Sequence, residues 1–198
     1  MINKLLDCDL PCKDTNKDFI FPIADINPDL IKLIMVSESP PKNHKDYFYR
    51  DPAGSFFMTT RLAFSDAGYS IADISDLTKL GVYLTTAIKC SKKEYMVGST
   101  TIKKCSKILE MEISQFPNVK VIMCMGDFAI KAINYITKRN FGTSVIPLGS
   151  TYKIRKGSYE LNGIRYFPSY TQTGASFNIE KTKRIMISED IKYAMALL

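Results

Sequence analysis

A three-layer α/β/α sandwich around a central, mainly parallel four-stranded sheet is the fold this chain predicts, and three observations predict it. Four short apolar runs, at 31–41, 82–90, 119–127 and 164–170, each have the length of a buried strand and end in turn-formers, hydroxyls or proline. The segments between them carry apolar residues at helical spacing, so the order reads strand, helix, repeated, with a helix last. No internal repeat, low-complexity stretch or membrane-length apolar run interrupts that order. In an open parallel sheet the strand carboxyl ends converge on one crevice, so the four tips are where ligand chemistry is expected.

Residues 1–30 hold Cys8, Pro11, Cys12, Pro22 and Pro28 with little periodicity, and predict an irregular lead-in to a single domain over 1–198. The first strand is Leu33–Val36, stopped by Pro40 and Pro41. A polar, aromatic-rich loop over 42–54 follows, then a helix through Phe57, Leu62, Ala63 and Phe64, closed at Gly68. Strand Val82–Ile88 leads into a basic loop over 91–99. From Thr100 the positions Ile102, Cys105, Leu109 and Ile113 predict a helix with one buried face, ended by Pro117. Strand Val119–Met125 meets Gly126, with Asp127 expected as the N-cap of a helix buried through Phe128, Ala132, Ile133 and Ile136. Residues 140–163 read as a long connection or β-ribbon. The last strand, Ile164–Phe167, is expected to stop at Pro168, and 178–198 to form a helix through Ile185, Ile191 and Met195.

Composition narrows the function classes. The chain has 198 residues, 45% of them hydrophobic, and a net charge of +7, which fits a polyanionic partner such as nucleic acid. Charge pattern alone reads its basic clusters at 89–93, 103–107 and 181–184 as solvated helix faces. The amino terminus has no basic segment followed by an apolar secretory core, so a cytoplasmic monomer without a membrane partner is expected. Five cysteines and a single histidine, His44, exclude a multi-histidine zinc site and speak against a disulfide-stapled fold. Neither G-x-G-x-x-G nor G-x-x-x-x-G-K-[ST] occurs, so nothing supports a nucleotide enzyme on a generic sheet.

Taken in order, the tips resemble the uracil-DNA glycosylase superfamily, most closely its iron-sulfur-containing branch. Ser37-Glu38-Ser39-Pro40-Pro41 is similar to a GEAPG motif, and Gly54-Ser55-Phe56-Phe57 to a G-x-P-F motif whose Phe stacks on the base. Thr86-Ala87-Ile88-Lys89-Cys90 resembles NVVKC, Met125-Gly126-Asp127-Phe128-Ala129 the strand into GxxA, and Phe167-Pro168-Ser169 an HPS motif. The resemblance covers roughly 31–195. It implies hydrolysis of the N-glycosidic bond of uracil or another deaminated base in DNA, after the nucleotide is flipped from the stack.

On that resemblance Glu38, Ser39 and Ser169 are the catalytic candidates, and Pro40, Phe57, Thr86 and Phe167 the base-binding ones. Pro168, Tyr170, Lys181, Lys183 and Arg184 are the DNA-binding candidates, with Tyr170 as the wedge that fills the gap left by the flipped base. Two departures bear on catalysis. Thr86 stands where the family has an Asn that reads the base, and Phe167 where it has a His donor, a loss of about 3 kcal/mol by analogy with oxyanion donors. Thr86, Ser169, Tyr170, Gln172 and His44 are the side chains available to compensate. The alternative is a nucleic-acid-binding or damage-sensing protein that kept the fold without the chemistry.

Tyr47, Phe48 and Tyr49, interleaved with Lys45 and Arg50, suit either base stacking or an aromatic lid. The resemblance also implies a [4Fe–4S] cluster on Cys8, Cys12, Cys90 and Cys105, although the first pair is spaced C-x3-C where the family has C-x2-C. Buried core thiols are the competing reading, above all for Cys105 on a helix's apolar stripe. Cys124, inside an apolar strand, is core in either case.

Overall fold

The computed structural model describes Cys8, 12–22 and 26–198. Of the lead-in, residues 1–7, 9–11 (Pro11 among them) and 23–25 lie outside the described residues. Twelve elements follow in chain order: β1 Leu33–Ser37, α1 Ser55–Asp66, α2 Ile74–Lys79, β2 Val82–Thr86, α3 Ser99–Ile113, β3 Val121–Met125, α4 Asp127–Phe141, α5 Thr151–Ile154, β4 Tyr159–Leu161, β5 Ile164–Ser169, α6 Ala175–Ile179 and α7 Lys181–Met195. The sheet has five strands in the order β2-β1-β3-β5-β4, all neighbours parallel except the β4–β5 hairpin. The expected four parallel strands are therefore present, and β4 adds an antiparallel edge drawn from the stretch expected as a ribbon. Asn162 and Gly163 turn that hairpin with positive φ, the conformation a two-residue loop demands.

Every residue of β1, β2 and β3 is buried, because helices cover both faces of the sheet. On one face Ile34, Val36, Tyr83, Ile122 and Cys124 pack against α3 and α4 through Ile102, Cys105, Leu109, Phe128, Ala132 and Ile133. On the other, Leu33, Met35, Leu84, Met123 and Phe167 pack against α1, α2 and α7 through Phe57, Phe64, Leu77, Ile187 and Ile191. Strand alternation divides neighbours such as Ile34 and Met35 between the two cores. These are the three layers expected. Among the described residues no helix is long and apolar enough to cross a membrane.

Four local expectations are corrected. The N-cap of α4 is Gly126, not Asp127, and Gly126 holds φ +106, a backbone conformation that disfavours any side chain. Ile185 is 60% exposed, since the buried face of α7 runs through Ile187, Asp190, Ile191 and Ala194, and a residue two positions from Ile187 points away from it. The short α2 was not foreseen; Asp73 caps it and Asp76 reaches back in a reciprocal capping box.

The last strand runs on to Ser169 with Pro168 inside it, paired in register with Cys124. Arg165 N–H donates to Lys120 O, so alternation turns the nitrogen of residue 168 away from β3. On that side β4 has already ended, its pairing stopping at Tyr166, so proline forfeits no ladder bond.

Candidate functional site

The sheet's carboxyl edge carries a pocket of about 540 Å³ lined by Glu38, Ser39, Pro40, Lys42, Phe56, Lys92, Lys93, Tyr95, Thr171 and Thr173, among others. Backbone ladders build it. After β1 and β2 end, Ala87 N–H and Ile88 N–H still donate to Ser37 O and Glu38 O at 2.8 and 3.0 Å, which fixes the first two tips side by side. Gly126 N–H donates to Ser169 O at 2.9 Å and ties the third tip to the fourth.

Glu38 places its carboxylate at the start of α4. Phe128 N–H donates to its Oε1 at 3.4 Å, and Lys92 Nζ lies 3.7 Å from Oε2. The helix's unsatisfied N–H groups and partial positive charge favour an anion there. Lys92 in turn sits over the rings of Phe128 and Tyr95, at 5.1 and 5.5 Å. Lys42 Nζ donates to Lys93 O at 3.1 Å, so the loop after β1 and the loop after β2 meet across the mouth. The result is the Glu38 carboxylate, fixed by its partners, and an exposed one at Glu94 among three lysines, with an aromatic wall at Phe56 and hydroxyls at Ser39, Thr171 and Thr173. Such an arrangement holds a planar ligand on a polyanion and places a negative charge beside it.

The lead-in clamps the lysine loop. Ser91 donates to Asp18 from its N–H at 2.8 Å and from Oγ at 2.6 Å, and His44 Nε2 lies 2.9 Å from Asp18 Oδ2. Gly98 N–H and Thr101 Oγ1 donate to Asp14, both at 2.7 Å, which caps α3 from outside the helix. Burial raises both carboxyls, but these hydrogen bonds outweigh it and hold Asp14 and Asp18 below the usual carboxylate range.

Several predicted residues lie elsewhere. Phe57 is buried in the α1 side core, and its neighbour Phe56 forms the pocket wall. Phe167 lies two residues short of the strand end, under the Arg165 guanidinium at 4.9 Å, and Thr171 and Thr173 are the residues after β5 that reach the crevice. Ser169 is buried and donates to Asp190 Oδ2 at 2.6 Å. His44 is taken up by Asp18. Tyr170 is half-buried outside the pocket lining, with Lys183 Nζ 5.3 Å from its ring centre. Lys183 pairs with Glu180 and Arg184 with Asp66, which leaves Lys181 exposed. Pro168 is buried in β5. Thr86 is buried at the end of β2, and Pro40 and Ser39 line the pocket.

The residues missed were Lys42, Lys92, Lys93, Phe56, Thr171 and Thr173. The basic run at 89–93 carried a signal for two of them, but its first member, Lys89, is fully buried. Lys89 pairs with Glu112 and donates to Thr85 Oγ1 and Thr86 O at 2.7 and 2.6 Å.

A larger cavity, about 630 Å³, lies over the middle of β5 between Arg155, Arg165, Phe167, Asp190 and Tyr193. Its two arginines are committed, Arg155 to Asp190 and Glu189 and Arg165 to Ser158 and Gly157 O, and Lys156 and Lys192 also line it. The smaller pocket lies at the strand tips, where Lys92 faces the Glu38 carboxylate and Lys42 and Lys93 donate to backbone carbonyls, and the convergence of strand ends makes it the better candidate for chemistry.

Cys8, Cys12, Cys90 and Cys105 are neighbours. Burial first, then the Cys105 thiol, the Asp18 carboxylate and the Cys8 and Cys12 thiols, push the Cys90 thiol up to about 12, and burial likewise raises Cys105. Among the described residues no three His, Cys, Asp or Glu side chains converge as ligands of a single metal ion. A four-iron cluster spreads its thiolates around a body larger than one ion, so neighbourhood is the relevant observation for it and single-ion convergence is not. Cys124 is core within β3.

Comparison with known proteins adds two findings. The sequence model of the family described as "Uracil DNA glycosylase superfamily" matches residues 24–192. A type-5 uracil-DNA glycosylase of Thermus thermophilus is 28% identical over 101 residues, covering 50% of this chain and 45% of that protein, so the chain matches about half the length of this relative.

Proposed function

The chain belongs to the uracil DNA glycosylase superfamily, and on that footing we propose that it hydrolyses the N-glycosidic bond of uracil or another deaminated base in DNA. The observation that carries this reading is Glu38, a carboxylate fixed at the N-terminus of α4 within a pocket ringed by Lys42, Lys92 and Lys93. Glycosidic cleavage gathers positive charge on the sugar and negative charge on the leaving base. A carboxylate held beside the sugar stabilises the first and orients the attacking water, and it does so without reorganising in the transition state. The lysines bind phosphates flanking a flipped nucleotide, Phe56 stacks on the base, and the Thr171 and Thr173 hydroxyls lie on the side from which it departs.

A second reading, a damage-sensing or nucleic-acid-binding protein of the same fold, is favoured by one observation. The pocket lining holds no histidine, and the chain's single histidine is paired with Asp18. The two separate on incubation with single- and double-stranded oligonucleotides carrying uracil, hypoxanthine or xanthine, followed by alkaline cleavage at abasic sites. Cleavage supports the enzyme. Its absence on every substrate, with steeply salt-dependent DNA binding, supports the binder.

Cys8, Cys12, Cys90 and Cys105 are proposed to hold a [4Fe–4S] cluster, supported by their number and their mutual proximity. When bound, it would cross-link the lead-in to the end of β2 and to α3, a folding contribution and not a step of the hydrolysis.

A further inference from the structure

Among the described residues three buried side-chain atoms have no hydrogen-bond partner: Tyr47 Oη, Thr86 Oγ1 and Gln172 Nε2. They are gathered in one place. Thr86 is the register partner of Ser37 at the carboxyl end of β1 and β2. Ser37 Oγ donates to Gln172 Oε1 at 3.1 Å, which holds the amide with its nitrogen as the unused end. The Tyr47 hydroxyl lies beside Thr85 and Thr86 without completing a hydrogen bond, and the proton of Thr85 is already given to Glu112 at 2.7 Å. All three residues are 0% exposed.

Leaving a buried polar atom unpaired costs its full desolvation, and native proteins retain few of them. Isosteres without the polar atom are available at two of the three positions, Phe for Tyr47 and Val for Thr86. The cluster also adjoins the pocket. Ser39 follows Ser37 by two residues, Thr171 and Thr173 flank Gln172, and Phe56 packs on Phe48, which packs on Tyr47, each pair at 5.3 Å between ring centres.

We propose that Tyr47, Thr86 and Gln172 form the recognition end of this pocket and read the carbonyl-bearing edge of a planar base, an inference that rests on the glycosylase reading of the same site. The donor inventory sets the ligand class. Gln172 Nε2 only donates, whereas the two hydroxyls donate or accept. An edge that presents C=O, N–H and C=O in turn satisfies all three. An exocyclic amino group, as on cytosine, instead sets N–H against the amide N–H, and a site built for a hydrogen bond strongly rejects the partner that leaves it unmade.

Binding of free uracil, hypoxanthine and cytosine is measured by ligand-observed NMR for the wild type, Tyr47→Phe, Thr86→Val and Gln172→Leu, with melting temperatures of each. The wild type is expected to prefer uracil over cytosine by about tenfold or more, with hypoxanthine, whose edge carries one C=O and one N–H, between them. Tyr47→Phe and Thr86→Val should lose about tenfold or more in uracil affinity while melting at the same or a higher temperature, because each removes a partnerless polar atom. Gln172→Leu should lose the discrimination against cytosine. A wild type that binds none of these bases overturns the proposal, as do Tyr47→Phe and Thr86→Val proteins that bind uracil as the wild type does. Uracil excision undiminished in both variants overturns it while leaving the glycosylase reading standing. Base binding lost in the variants of a protein that excises nothing supports it while that reading falls.

Discussion

Glu38 packs directly on the backbone of Gly126: a Cβ at residue 126 would stand 2.9 Å from both Cγ and Oε1 of Glu38. The pocket's one fixed carboxylate is thus seated in a space that only glycine leaves open, and at φ +106 glycine is also the residue the backbone tolerates.

Gly126→Ala is accordingly expected to strain the turn and push Glu38 off the start of α4. A stability loss of about 1–3 kcal/mol, the range for a residue forced into a disfavoured backbone region, should appear in chemical denaturation. Excision should fall further than stability, since the fold tolerates a displaced Glu38 and the transition state does not. A variant as stable and as active as the wild type contradicts this seating.

The buried pair of Lys89 and Glu112 makes a second, independent prediction. Glu112 also accepts from Tyr83 Oη and Thr85 Oγ1, each at 2.7 Å, so its carboxylate has many partners but one cation. Lys89→Met strands that charge in the core and should cost about 3–5 kcal/mol. Lys89→Met with Glu112→Leu should recover a substantial part of the loss, which a double-mutant cycle reads directly. Equal costs for the single and double variants would contradict the pairing.

Acid sensitivity is expected from Asp14 and Asp18. Their folded carboxyls lie below the ordinary value of 3.8, so the stability they contribute is present above about pH 3.8 and is lost as pH falls through the lower folded values. Asp18→Asn should therefore flatten the acid limb of the stability profile, leave its neutral limb with the same slope, and loosen the loop over 91–98. Hydrogen exchange at Ser91, whose N–H is donated to Asp18, is the local readout. An unchanged acid limb and an unchanged Ser91 rate would contradict the clamp.

For the cysteines, anaerobic reconstitution with iron and sulfide should give a brown protein with visible absorption. With the Cys90 thiol pushed up to about 12, binding must displace protons, so uptake should be more complete in mildly alkaline than in mildly acidic buffer. Cys105→Ser should lose the colour and Cys124→Ser keep it. Full absorption in Cys105→Ser would contradict the assignment.

Much of the architecture was legible in the sequence because it depends on burial. The strands of the parallel sheet read as unbroken apolar runs, and α3 and α4 as stripes at helical spacing, since both are consequences of two covered faces. The site was legible only as tips. Glu38, Ser39 and Pro40 fall in the pocket because a strand end is marked by composition. Phe56 and Phe57 are indistinguishable by type, and only the rotation of α1 decides which is wall and which is core. At β5 proline reads as a strand stop, but whether it stops one depends on which side of the strand is unpaired, a property of the sheet and not of the residue. That difference moved the crevice from Phe167 to Thr171 and Thr173. Charge runs misled for a related reason: Lys89, Lys183 and Arg184 look solvated in sequence, and in the fold each is matched by an acid far away or one turn along.

Single-turnover formation of abasic sites from a uracil-containing oligonucleotide, compared between the wild type and Glu38→Gln, tests the central claim most directly. The wild type should excise uracil. Glu38→Gln, which keeps size and shape but removes the charge, should bind the same DNA comparably and excise about 100-fold more slowly, the lower end of what a positioned acid–base group contributes. A wild type that forms no abasic sites, or a Glu38→Gln protein that excises at the wild-type rate, would contradict it.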